Sequence, residues 1–236
     1  MRISRLLIGV IVLGSVSVAS PAIAIPVTPD TFEDGTTMGW FIPMETPFAP
    51  ANMATGGPAG AGDAYLQLTA TGQPGPAGRL AVLNESQWTG DFIAEGVIAI
   101  AMHVNNFGPS EVTLRLLLED FPATPGPPTN LATTLTDIVV PAGSGWVEVV
   151  FDLSLSNLVA LFGTTQGALS DVDVLRIFHN PDPDFPGPGI GIPLINVLLG
   201  VDNITAITQT IPEPLTVMLM AGGIAAVLRR RAARRL

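Results

Sequence analysis

The sequence predicts an all-β chain: an antiparallel β-sandwich of the jelly-roll type, flanked by an N-terminal signal peptide and a short C-terminal hydrophobic helix. Three observations predict it. Between residues 25 and 210, apolar and polar residues alternate in short runs, the period-two signature of strands with one buried face. Glycine and proline supply 25 and 22 of the 236 residues, which cuts the chain into turns and argues against a helical bundle. Both ends break the alternation with apolar runs beside arginines.

In chain order, Met1 to Ala24 reads as a secretory signal. Arg2 and Arg5 form its positive start, Leu6 to Val18 its apolar centre, and Ala22-Ile23-Ala24 its small-x-small cleavage site. The sandwich domain is expected over residues 25–210. Its strands are expected at Tyr65–Thr69, Arg79–Leu83, Val97–Val104, Glu111–Leu118, Thr136–Val140, Trp146–Leu153, Asp173–Phe178 and Val201–Ile207, with a first strand at Thr31–Trp40. Segments 56–62, 72–78, 121–128 and 181–193 are rich in turn formers. One short helix is expected at Leu155–Phe162. Residues 211–236 form a third unit. Ile211-Pro212-Glu213-Pro214 precedes a 14-residue apolar run, Leu215 to Leu228, which ends in an arginine cluster. Fourteen helical residues cover about 21 Å, short of a hydrocarbon core of roughly 30 Å, so the run suits transient anchoring with its arginines on the cytoplasmic side.

Composition excludes several kinds of chemistry. Without cysteine there is no disulfide scaffold, thiolate metal site or cysteine nucleophile. Without lysine there is no Schiff base and no P-loop. The chain's 20 acidic residues, all but Glu213, fall between residues 25 and 211 beside only Arg79, Arg115 and Arg176. So acidic a domain repels phosphate backbones, and no nucleic-acid partner is expected. It favours divalent cations.

The tripartite tail resembles the PEP-CTERM sorting signal of Gram-negative bacteria, through Pro212, Glu213, Pro214, the apolar run and the terminal arginines. The resemblance implies an exosortase as partner, cleavage near the motif, inner-membrane anchoring through 215–228 during transit, and a final place at the cell surface or in the extracellular matrix. Leu215 departs from the small or hydroxyl residue the family often has there.

Residues 30–207 resemble the galactose-binding-like jelly roll of carbohydrate-binding modules, through Thr31 to Trp40, Gly62 to Leu68, Gly145 to Leu153 and Leu199 to Ile204. This resemblance implies a structural Ca2+ joining first strand, following loop and last strand, here Glu33, Asp63 and Asp202. Carboxylate and carbonyl oxygens are what such a hard cation takes. The plainer reading makes these ordinary turn carboxylates.

Sugar binding needs aromatic platforms. Trp88, in the polar segment Asn84 to Gly90, is the platform candidate. Tyr65 and Trp146 sit in alternating runs and are expected to pack in the core, while Trp40 and Phe107 stay open. His103 is expected on a strand face, and His179 at the end of a strand, entering the turn at Asn180-Pro181. No G-x-S-x-G elbow occurs, and pairs among so many acids carry no information about a glycosidase. The sequence therefore points to an exported, non-catalytic protein with a structural or adhesive role in the envelope or exopolysaccharide matrix. The rival is a specific carbohydrate-binding module, and a polysaccharide hydrolase ranks last.

Overall fold

In the computed structural model, residues 29–74, 78–185, 187 and 191–209 are described. The expected signal peptide, C-terminal helix and sorting motif lie outside the described residues. Among the described residues, twelve strands are divided between two antiparallel sheets: β1 (Trp40–Phe41), β2 (Ala51–Met53), β3 (Tyr65–Thr71), β4 (Ala81–Asn84), β5 (Val97–Asn106), β6 (Val112–Asp120), β7 (Asn130–Thr134), β8 (Ile138–Val140), β9 (Val147–Asp152), β10 (Leu158–Phe162), β11 (Val174–His179) and β12 (Asn196–Thr208). One sheet runs β1-β4-β11-β6-β7-β10, with β8 also on β6. The other runs β2-β3-β12-β5-β9. This is the sandwich that the alternation predicts.

Period two fixes which side chains meet. In the five-stranded sheet, Leu66, Leu68, Leu199, Val201, Ile100, Met102 and Val104 point inward. They share one core with Leu114, Leu116, Leu118, Leu175 and Ile177 of the larger sheet. The larger sheet is buried on both faces, and all nine residues of β6 are buried. A second cluster covers its outer face: Leu117 and Phe178 of the sheet, with Phe185 and Ile192 of the loop after β11.

Two expected elements differ. Leu155–Phe162 is not a helix. A 3-10 turn, Leu155–Asn157, leads into β10, and the helix α1 follows at Thr165–Ser170, capped by the Thr164 hydroxyl accepting from the Gly167 N–H. Short apolar runs fit either period, and pairing with β7 decides for strand here. The expected first strand, Thr31–Trp40, is mostly turn. Phe32 and Met38 have φ of 59° and 48°, which breaks extended geometry. Its ends are tied separately: Asp30 bridges Ile204 through both backbone N–H groups, and only Trp40–Phe41 joins a sheet.

Candidate functional site

The two outer sheet faces have opposite fates. Residues 180–185 and 191–195 strap the seven-stranded face, and all three arginines of the sandwich hold this strap. Arg115, buried in β6, donates to the carbonyls of Asn180 (2.9 Å), Pro181 (2.6 Å), Thr134 (2.8 Å) and Leu135 (2.8 Å). Arg79 donates from Nε to the Ile192 carbonyl at 2.7 Å. Arg176 pairs with buried Glu119, from Nε at 2.8 Å and Nη2 at 2.5 Å, and its guanidinium lies 5.1 Å from the Phe185 ring centre. Asp182 and Asp184 belong to this strap, where Asp184 Oδ1 accepts from the Phe185 N–H.

The five-stranded face carries no such cover among the described residues. Strand parity puts Tyr65, Gln67, Gly200, Asn105, His103, Glu148 and Asp202 on it. At one end three rings meet. Trp146 stands edge-on to Tyr65 at 5.3 Å and to Phe107 at 6.0 Å, while Tyr65 and Phe107 are 5.9 Å apart. They gather over Gly200, where an added Cβ would come within 2.7 Å of the Trp146 ring and 2.9 Å of the Phe107 ring. The Trp146 indole N–H reaches across the sheet to the Gly56 carbonyl at 2.9 Å, which fixes the ring's tilt. Trp146 is half-buried and Phe107 is 44% exposed. Trp146, expected in the core, therefore lies on the outer face. Tyr65 is buried as expected, but beneath these rings. Next along the face, Asp202, His103 and Glu148 form a row in register on β12, β5 and β9. The His103 Nδ1 is buried without a hydrogen-bond partner.

Trp88 is not a platform. It is 0% exposed and its indole N–H donates to Asp30 at 2.8 Å. Trp40 donates to the same carboxylate at 2.9 Å and Gln87 at 3.0 Å. Trp88 is drawn inward because Asp30, itself 1% exposed, needs donors where water is excluded. The polar residues around Trp88 serve these buried bonds rather than solvent. His179 ends its strand, β11, as expected, but its ring is buried against the Thr113 backbone and does not belong to a turn.

The three carboxylates named for Ca2+ lie at one corner. Glu33 Oε1 accepts from the Ala64 N–H at 2.8 Å, and Asp63 Oδ2 from the Ala59 N–H at 2.5 Å. Asp202 accepts from the Asn203 N–H at 2.7 Å and the Asn203 side-chain amide at 3.0 Å. Burial pushes the Asp202 carboxyl up to about 7, and the Asp63 and Glu33 charges add to that while the Asn203 N–H opposes it. Phe32 and Asn203, next in sequence to Glu33 and Asp202, hold left-handed φ of 59° and 53°, the kind of local strain that gathers at functional corners. Among the described residues, no three acidic or histidine side chains stand close enough to form a ready metal site. Asp202 feels the charges of Asp63 and Glu33, but the three are not closed into a ligand set.

No family model and no curated protein sequence matches this chain. Among solved structures, an exo-β-agarase is similar with a TM-score of 0.54 and 12% identity, over 80% of this chain and 26% of that one. The chain thus spans about a quarter of that enzyme's length. A family 11 carbohydrate-binding module from Clostridium thermocellum, solved with a β-1,3-1,4-mixed-linked tetrasaccharide, has a TM-score of 0.49 and 14% identity, over 77% of this chain and 95% of that one. A family 28 module specific for non-crystalline cellulose has a TM-score of 0.45 and 14% identity, over 75% and 92%. At identities this low, the likeness is one of fold.

Proposed function

We propose that this is an exported, non-catalytic surface protein whose sandwich binds a polysaccharide on the outer face of the five-stranded sheet. The observation that carries the reading is the contrast between the faces: one is sealed by the arginine-held strap, while the other presents Trp146 and Phe107 over Gly200. Half-exposed rings backed by a glycine offer apolar surface on which sugar rings stack, with Gln67 and Glu148 near enough in register to supply polar contacts. In this reading Trp146 and Phe107 take the role that the sequence suggested for Trp88. A purely structural role in the envelope or matrix is the second reading, favoured by the tail.

Around this face we place two further parts. A Ca2+ held by Glu33, Asp63 and Asp202 would offset the burial, and the lesser repulsion from Asp63 and Glu33, that disfavour the Asp202 charge, and would tie the first turn to the last strand. An exosortase would recognise Pro212, Glu213 and Pro214 after export by the signal at 1–24, leaving the sandwich at the cell surface or in the matrix.

The test is retention of the exported chain on a panel of polysaccharides. Trp146→Ala should weaken retention at least tenfold in a chain that still unfolds cooperatively above the assay temperature, and Gly200→Ala, which displaces both rings, should do the same. Unchanged retention by both variants would move binding off this face. No retention of the parent on any polysaccharide would leave the structural reading. Mass spectrometry of the surface form should find a C-terminus near Pro212, and an intact Leu236 would refute the sorting reading.

A further inference from the structure

Stacking on Trp146 and Phe107 serves any pyranose, so the rings alone do not choose between polysaccharides. The choice falls to the charged groups beside them. Glu148 stands two residues on from Trp146, on the same side of the sheet, about 7 Å along the strand. It is exposed. Among the described residues, ion pairs join only Arg115 to Asp137 and Arg176 to Glu119, so Glu148 has no cation of its own. Asp202, the other carboxylate in its row, is buried and held by Asn203. Glu148 is therefore the carboxylate that a ligand on the rings can reach.

The same face is poorly equipped for an anionic sugar. The chain has no lysine, and Arg79, Arg115 and Arg176 are all held at the strap on the far side of the sandwich. His103, in register with Glu148, makes no ion pair with it, and its Nδ1 is buried without a partner. An aromatic ring attracts a cation as well as the apolar face of a sugar, and a neighbouring carboxylate gives that cation a charge-assisted hydrogen bond. A pyranose bearing an ammonium group uses both at once. A uronate or sulfate brings like charge to Glu148, and a neutral sugar makes no use of the Glu148 charge.

We propose that the polysaccharide of this face is an amino-sugar polymer with free ammonium groups, with Trp146 and Phe107 as its platform and Glu148 as its ammonium acceptor. The inference rests on the reading of this face as the polysaccharide site and adds the chemical class of the ligand. The rest of the domain works in the same direction. Nineteen acidic side chains against three arginines draw a polycation towards the surface before it docks. That attraction is long-range and sequence-blind, whereas the pairing with Glu148 is local, and the two are separable by experiment.

The probes are an immobilised β-1,4-linked glucosamine polymer, the same polymer with its amines acetylated, and a neutral β-glucan. Each is offered to the exported chain in mildly acidic buffer, where the free amines carry protons. Retention on the free amine should be about tenfold stronger than on its acetylated form and should fall with added salt. Glu148→Gln should weaken it by at least about threefold, the scale of an exposed charge pair, and leave retention on the neutral glucan unchanged. Glu85→Gln removes the same charge from an exposed position just after β4, in the other sheet, and should weaken it less than half as much. Equal losses for the two variants would reduce the effect to bulk charge and overturn the proposal. Equal retention on the free and acetylated polymers, lost in both cases with Trp146→Ala, would overturn the ammonium while keeping the rings as the site. Retention on none of the three would remove the polysaccharide reading together with the proposal.

Discussion

Asp30 and Asp202 are both buried carboxylates, and their partners give them different consequences. Asp30 is surrounded by donors: two indoles and a glutamine amide. Burial still raises its proton affinity, with these bonds opposing. Trp88→Phe keeps most of the ring and removes one bond to a buried acceptor, so it should cost about 1–3 kcal/mol in urea unfolding. Trp88→Ala should cost about 3–5 kcal/mol, and a loss under about 1 kcal/mol would be inconsistent with a fully buried ring. Asp202 has only its neighbour Asn203 as donor and two carboxylates nearby. Its folded value of about 7 lies above its ordinary 3.8, so the fold favours the protonated form. The contribution is complete below the ordinary value and is lost as pH rises through about 7. With a chelator present, acidification from neutral towards pH 5 should therefore raise the melting temperature of the parent relative to Asp202→Asn. His179, whose proton affinity burial lowers, runs in the opposite sense, and Asp202→Asn leaves it unchanged. Parallel melting curves for the two proteins would remove the raised value. Added Ca2+ should reverse the trend, because protons and metal compete for the same oxygens.

Among the elements, the strap formed by residues 180–185 and 191–195 does most to decide what the molecule can bind. Four backbone carbonyls accept from Arg115, two of them in or beside the strap, and no neutral side chain can replace that planar fork. Arg115→Ala should cost at least about 3 kcal/mol through the stranded carbonyls and should open 182–195 to proteases before the rest of the domain. Simultaneous cleavage throughout would show that the strap is not a separable unit. The strand β6 is expected at Glu111–Leu118 and is found there, but the burial of its outer face was not legible. Its outward positions, Arg115, Leu117 and Glu119, are buried by a segment some 60 residues downstream, so no alternation of exposure could mark them. The 155–162 stretch was misjudged for a related reason: Leu-Ser-Asn-Leu-Val-Ala-Leu-Phe is short and apolar, and its partner β7 lies far back in the chain.

For the whole molecule, the charge balance dominates. The sandwich's three arginines are spent on the strap, so most of its acidic side chains face solvent with little compensation. Self-repulsion of this kind is screened by salt, whose Debye length is about 10 Å at 0.1 M and about 3 Å at 1 M. At neutral pH the melting temperature should rise by several degrees between low and molar sodium chloride, and an unchanged value would mean that the acids are already paired. The same charge predicts weak retention on sulfated or uronate-rich polysaccharides at low salt.

The amino-acid sequence by itself determined the two-sheet sandwich, because period-two burial is a local property and turn residues carry their own punctuation. It also placed Glu33, Asp63 and Asp202 in one group, through their order along a resembling fold. Only the tertiary structure decided which aromatic rings face outward. Trp88 sits in a polar segment yet is pulled inside by Asp30, 58 residues earlier, and Trp146 sits in an alternating strand yet lies over Gly200 on the outer face. Exposure of a ring depends on what the rest of the chain brings to cover it. No local pattern holds that information.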